Sequence, residues 1–150
     1  MMNRLTIRKC ENRDFSLLEN FAQNWLTAKE FWSFEEIKAS LAQKENELWL
    51  AFVNETNLIG ILFFNVVLDF SDLLFIYIEP KNRSSGHGKK LMDHYMTRAK
   101  KHKVKKLFLE VRGNNQTARD FYDSLGYKVI RTIKNYYSDG DNGIVMEKSL

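Results

Sequence analysis

The chain has 150 residues, 44% of them hydrophobic and 28% charged, with a net charge of +4; this is the composition of a globular protein and excludes a disordered or fibrous one. Its length fits one domain over residues 1–150. A single cysteine, Cys10, excludes an internal disulfide, the first residues have no signal-like apolar core, and the longest apolar run, Leu58–Leu68, is too short to span a bilayer, so a cytoplasmic protein without a membrane partner is expected.

Leu5-Thr6-Ile7-Arg8 reads as a first strand. Asp14 stands where it can cap a helix with the apolar face Phe15, Leu18, Phe21, Ala22 and Trp25. Ser33 with Glu36 is a capping box for a second helix through Ile37 and Leu41. Leu48–Val53 and Leu58–Leu68 form a hairpin around the turn Asn54-Glu55-Thr56-Asn57, and a turn over Asp69–Asp72 leads into the strand Leu73–Ile78. Glu79-Pro80 stops that strand, because proline has no N–H for a sheet ladder. Leu91, Met92, Tyr95, Met96 and Ala99 then recur at helical spacing over residues 88–102. Lys106–Arg112 alternates as a strand, with Leu107, Leu109 and Val111 on one face and Phe108, Glu110 and Arg112 on the other. Asn114 or Asn115 can cap a last helix with the stripe Ala118, Phe121, Tyr122 and Leu125, and Gly126 can close it. Tyr127–Ile133 and Gly143–Glu147 form an antiparallel pair around a polar tip. The order βααβββαβαββ predicts an α/β (α+β) fold: a mixed, mostly antiparallel sheet of about seven strands flanked by about four helices, with one crossover making two strands parallel.

The segment Arg83-Ser84-Ser85-Gly86-His87-Gly88-Lys89 joins the apolar strand to the long helix. Such a turn aims free backbone N–H groups at one point, reinforced by the helix dipole, and its glycines let a ligand approach the backbone. It is a phosphate site in outline, but it is neither a Walker loop nor a dinucleotide fingerprint, and by itself it is equally a plain turn. Residues 81–106 carry ten Lys and Arg against one acid, Asp93. Either this is a solvated helix face, or its field attracts a polyanion such as a phosphorylated cofactor or nearby RNA. No aromatic residues alternate with the basic ones, so sequence-specific nucleic-acid binding is not expected. Three scattered histidines and one cysteine give no metal constellation.

Arg83-x-x-Gly86-x-Gly88, Leu109-Glu110-Val111-Arg112 and Asn115-x-x-Ala118-x-x-x-Tyr122-x-x-Leu125-Gly126-Tyr127, in this element order, resemble the GCN5-related N-acetyltransferase (GNAT) superfamily over nearly the whole chain. Asn135-Tyr136-Tyr137-x-Asp139-Gly140 and Val145-Met146 are most similar to the bacterial ribosomal-protein-alanine N-acetyltransferase type. The chain departs from that pattern at Asp141-Asn142-Gly143, where Glu-Asp-Ala is usual, and at Phe75 and Tyr77, where Asn and Ala are usual and where the larger rings are expected to reshape the cleft wall.

The resemblance implies acetyl-CoA as the acetyl donor, no metal, and direct transfer to a protein N-terminal α-amine in a ternary complex, with a ribosomal protein as acceptor and transient ribosome proximity. It implies that the backbone of Ile76, Tyr77 and Ile78 pairs with the pantetheine arm. It places the pyrophosphate on Arg83, Ser84, Ser85, Gly86, His87, Gly88 and Lys89, His87 contributing its backbone. Glu110 becomes the base for the α-amine, the alternative being a strand carboxylate paired with Arg112 or a lysine. Tyr122 becomes the acid for the CoA thiolate, the alternative being a core residue on the helix stripe. Asn115 either bonds the CoA arm or only caps its helix. Tyr136 and Tyr137, with Phe31 and Trp32 opposite, line the acceptor channel. Two rivals remain open: a GNAT acting on a lysine or small amine, with specificity in segments 26–45 and 135–143, and a CoA-sensing or ribosome-associated module without turnover.

Overall fold

The computed structural model describes residues 4–25 and 31–150. The strands are β1 (Leu5–Lys9), β2 (Asn46–Val53), β3 (Asn57–Val67), β4 (Phe70–Ile78), β5 (Lys106–Arg112), β6 (Lys128–Ile133) and β7 (Gly143–Ser149). The α-helices are α1 (Phe15–Phe21), α2 (Phe34–Ser40), α3 (His87–Lys101) and α4 (Gln116–Ser124). The strands form one seven-stranded sheet in the order β1-β2-β3-β4-β5-β7-β6. Every neighbouring pair is antiparallel except β4 with β5. The expected fold class is therefore the one observed.

β3 explains why both faces of the sheet are covered. Ile59, Ile61, Leu62, Phe63 and Phe64 are all fully buried, so the strand is apolar on both sides instead of alternating. Ile59, Leu62 and Phe64 belong to a core shared with Leu91, Met92, Tyr95 and Ala99 of α3 and with Leu107, Leu109 and Val111 of β5. Ile61 and Phe63 belong to a second core with Leu18, Phe21, Trp25 and Ile37. Burying each such side chain contributes about 1.5–3 kcal/mol, so the helix stripes read from the sequence are what hold α3 and α1 against the sheet.

The capping box forms as expected: the Ser33 hydroxyl accepts from the Glu36 N–H, and the Glu36 carboxylate accepts from the Ser33 N–H. Asp14 does not cap α1. A short 3₁₀ turn over Asn12–Asp14 precedes the helix and points the Asp14 carboxylate backwards. There it accepts from the Glu11 N–H and pairs with Arg8 at 2.8 Å, which holds it well below the usual carboxylate range, at about 2. The turn expected over Asp69–Asp72 is tighter, because β3 runs to Val67 and β4 begins at Phe70, leaving two residues between strands. Buried Ser71, bonded to the Tyr95 hydroxyl at 2.7 Å, gives that strand start an inward polar anchor.

Candidate active site

The site begins with a failure of pairing. β4 and β5 are bonded only from Phe70–Asp72 to Lys106–Phe108, and beyond that the two strands part. Directly after the last pair, β4 carries one extra residue: Phe64 faces Leu73 and Phe63 faces Phe75, leaving Leu74 as a bulge. A bulge bends a strand and increases its twist, and here it turns β4 away from its parallel partner. A cleft of about 1190 Å³ opens between them. One wall is Leu73–Ile76 of β4 and the other is Phe108–Arg112 of β5, so the backbone of β4 past Asp72 presents its free edge to the cleft.

Glu110, Tyr122, Asn115, Ile76, Phe31, Trp32, Tyr136 and Tyr137 all line this one space. Glu110 projects from the exposed face of β5, as the alternation of that strand requires. The Glu110 carboxylate, first as a hydrogen-bond acceptor and then as a nearby negative charge, raises the Tyr136 phenol above its ordinary value. No Lys or Arg among the described residues pairs with Glu110. The Arg112 guanidinium binds Asp139 at 2.9 Å and Asp141 at 3.5 Å and stacks over the Tyr137 ring at 4.2 Å. Those contacts tie the polar tip between β6 and β7 back to β5. Gly143 seats Tyr136: a Cβ there would stand 2.7 Å from the ring, so the glycine in place of the usual alanine is what lets the phenol lie against β7.

Tyr122 is both a cleft residue and a core residue. Its ring packs 5.8 Å from that of Tyr127, and burial pushes its hydroxyl up to about 12. The Asn115 side-chain oxygen accepts from the Ala118 N–H at 3.1 Å, so Asn115 caps α4 at the cleft lining. Phe31 packs 5.2 Å from Phe75, and Trp32 lies 5.1 Å from Phe63. Residues 26–30 of the segment given to specificity lie outside the described residues.

One expectation changes. Phe75 lines the cleft, but the Tyr77 ring does not reshape its wall: it faces the second core between Phe21 and Trp25, with Arg83 over it at 5.2 Å. Phe75 and Tyr77 share one face of β4 and both pack in the second core, but of the two only Phe75 reaches the cleft lining. Arg83 itself donates from Nε to the Ile78 carbonyl at 2.7 Å, where it finishes the strand end.

The turn 84–89 lies beyond the cleft lining, at the start of α3. Ser84 and Gly86 have φ of +64° and +82°, and the glycine takes the left-handed position that helix entry needs here. The first ladder bond of α3 runs from the Lys90 N–H to the Gly86 carbonyl, so the N–H groups of His87, Gly88 and Lys89 stand ahead of it. Gly88 faces α4, its Cβ position 3.6 Å from the Phe121 ring. No local pattern signals the Leu74 bulge or the closeness of Tyr136 to Glu110. The Asp72, Ile130 and Arg131 positions in the cleft were likewise missed.

A model of the acetyltransferase (GNAT) family matches residues 7–127. The chain belongs to that family. Its members include relatives with this chain's length and fold. The [ribosomal protein bS18]-alanine N-acetyltransferase of Haemophilus influenzae is 35% identical over 119 residues, 77% of this chain and 80% of that protein. The crystal structure of the Escherichia coli ribosomal-protein-S18-alanine N-acetyltransferase superposes with a TM-score of 0.84 at 29% identity, covering 97% of this GNAT chain and 94% of that one. The Arabidopsis thaliana NAA60 structure in complex with acetyl-CoA has the same TM-score at 14% identity, over 98% and 99% of the two chains, and shares the fold. Among the described residues no helix is long and apolar enough to cross a membrane, and no group of three His, Cys, Asp or Glu side chains could hold a metal.

Proposed function

We propose that this GNAT chain, acting as a single domain, transfers acetyl from acetyl-CoA to the N-terminal α-amine of a protein, a ribosomal protein in the cytoplasm being the acceptor. The observation that carries this reading is Glu110, a carboxylate with no Lys or Arg partner among the described residues, facing an open cleft beside the free edge of β4. The names of the relatives above support the acceptor class.

In this reading Ile76, Tyr77 and Ile78 offer backbone groups to the pantetheine arm, and the amide of Asn115 meets it from α4. Ser84 to Lys89 cradle the pyrophosphate with N–H groups, Arg83 bracing the turn from behind. Phe31 and Trp32 face Tyr136 and Tyr137 across a channel that leaves only the acceptor's amine beside the thioester. Glu110 takes the ammonium proton, directly or through water, and the amine lone pair attacks the carbonyl carbon. As the C–N bond forms and the C–S bond breaks, the nitrogen gives up its second proton to water in the cleft and the sulfur takes up charge. In this reading the Tyr122 hydroxyl donates to that sulfur. With the phenol at about 12 and a thiol near ~8.5, complete proton transfer is uphill by about 5 kcal/mol. Tyr122 therefore acts first as a hydrogen-bond donor, the proton following as the thiolate departs.

An α-amine suits one open carboxylate as base. A lysine, with a pKa of ~10.4 against ~8, costs about 3 kcal/mol more to deprotonate. The exposed lysines at 100, 101, 103 and 105 add a field that would hold the enzyme near ribosomal RNA and weaken with salt. The test is CoA-thiol release with two peptides of one sequence, one with a free N-terminus and one blocked there but carrying an internal lysine. The free peptide should be acetylated and the blocked one not. Equal or faster turnover of the blocked peptide would replace the α-amine by a lysine, and no release with any amine would favour a CoA-sensing module.

A further inference from the structure

The core beneath α1 and α2 draws on β2, β3 and β4, and among the described residues none of β5, β6 or β7 belongs to it. β5 sends Leu107, Leu109 and Val111 to the core on the α3 side, so its other face, with Phe108 and Glu110, is left without a helix. Phe108 is the apolar residue of that face and is only partly buried. The ring of Phe70 on β4 stands 5.9 Å from it, and Ile130 fills the bulge of β6; these two are 46% and 48% exposed. Scattered exposed apolar side chains are ordinary, but these stand along one cavity. The space that holds Glu110 runs on past Phe108, over Leu74 and Val145, to Asp72 at one rim and Arg131 at the other. The opposite way is closed: Arg112 is tied to Asp139 and Asp141, with the Tyr137 ring against it. The apolar floor ends in charge, where Lys106 meets Glu147 at 3.7 Å.

We infer that this floor is a subsite for the acceptor chain, built around Phe108, and that it takes an aromatic or large aliphatic side chain at the acceptor's third residue. The inference rests on the α-amine reading above, which sets the acceptor's first residue beside Glu110. Glu110 and Phe108 are two positions apart on one face of a strand, a step of about 7 Å. An extended acceptor advances by the same step, so its third residue comes level with Phe108. Side chains alternate along an extended chain: the third faces the floor while the second faces solvent. The occupant is fixed by continuity, because the floor shares its cavity with the carboxylate that meets the amine and the other end is shut. A charged third residue is rejected, since the floor offers it no partner in exchange for lost water. The contact lies away from the thioester and is made alike before and during transfer, so it acts on KM more than on kcat.

The experiment measures CoA-thiol release from acetyl-CoA with peptides of one sequence and a free N-terminus. One set varies only the third residue, as Phe, Leu, Ala or Asp, and a second set varies only the second residue in the same way. Wild type should show kcat/KM about tenfold or more higher for Phe or Leu than for Ala at the third residue, carried by KM, with Asp lowest. Changes at the second residue should stay within about threefold. Phe108→Ala should bring the Phe-to-Ala preference at the third residue to within about threefold, and Ile130→Ser, at a half-exposed bulge, should narrow it less. Equal turnover of the Phe and Ala peptides by wild type overturns the inference, as does a preference at the second residue as large as that at the third. So does an intact preference in a folded Phe108→Ala variant. If that variant does not fold, an intact preference in Ile130→Ser overturns it instead. Failure of every free-N-terminus peptide, while a blocked peptide with an internal lysine is acetylated, defeats the α-amine reading itself. That outcome is distinct from free peptides acetylated without regard to their third residue.

Discussion

Glu47 and Glu110 are both carboxylates on strands of one sheet, and the fold treats them in opposite ways. Glu47 is 5% exposed at the start of β2 and is fully occupied. The Trp49 indole donates to it at 3.0 Å, Arg98 reaches it at 3.2 Å and His102 at 2.7 Å. Burial works to raise its pKa, but the Trp49 bond and the nearby Arg98, Lys9 and His102 outweigh that and hold it below the usual value. Glu110 faces a solvent-filled cleft, meets one phenol, and has no cation among the described residues. A carboxylate satisfied by the fold has nothing left to offer a substrate. One left open in a cleft is available for proton transfer. The same contrast runs along α3: Arg98 in its C-terminal half holds Glu47, while the N–H groups of its first turn have no partner among the described residues.

The largest effect expected from breaking this contrast is on turnover. Glu110→Gln should lower kcat by about 10²–10⁴-fold while leaving Tm and acetyl-CoA affinity nearly unchanged. Wild-type kcat across pH 6–9 would make Glu110 a structural residue like Glu47. The mirror experiment is Glu47→Ala. It leaves Arg98 half-buried without its anion, and unfolding in urea should show a loss of about 3 kcal/mol with acetyl-CoA affinity retained. A variant as stable as wild type would show that the cluster around Glu47 does not hold α3 to β2.

A smaller effect sharpens the same cluster. His94 packs on Trp49 at 4.3 Å, and burial, then Arg98, lower its pKa, with Glu47 opposing. The unfolded chain therefore takes up a proton here that the folded protein resists. The stability from neutral His94 is fully present above about pH 6.5 and is lost as pH falls through its lowered folded value. Tm should drop between pH 7 and pH 5, and His94→Gln should flatten that slope. An unchanged slope would assign the drop to other groups facing this cluster, such as His102.

Much of the fold was legible because its signals are local. The stripe Leu91, Met92, Tyr95 and Ala99 has helical period, and the alternation of Lys106–Arg112 already placed Glu110 opposite the core. Pro80 and the Ser33–Glu36 box mark ends through chemistry that acts within a few residues. Asp14 misled because a capping residue is legible only if the helix starts there, and an Arg8 partner six positions back in the chain won its carboxylate.

What the sequence determined by itself was therefore the order and faces of the elements, and the family its motifs resemble. Only the tertiary structure decided the cleft, because it arises where two strands fail to pair: the extra residue at Leu74 is counted against β3, not within β4. It also decided which groups are satisfied. Tyr136 meets Glu110 because Gly143, on a neighbouring strand, leaves room for its ring. Tyr77 turns from the cleft, and Glu47 is spent on α3, through partners as many as 55 positions away. Side-chain period is a property of a segment, whereas satisfaction of a polar group depends on every segment that packs against it.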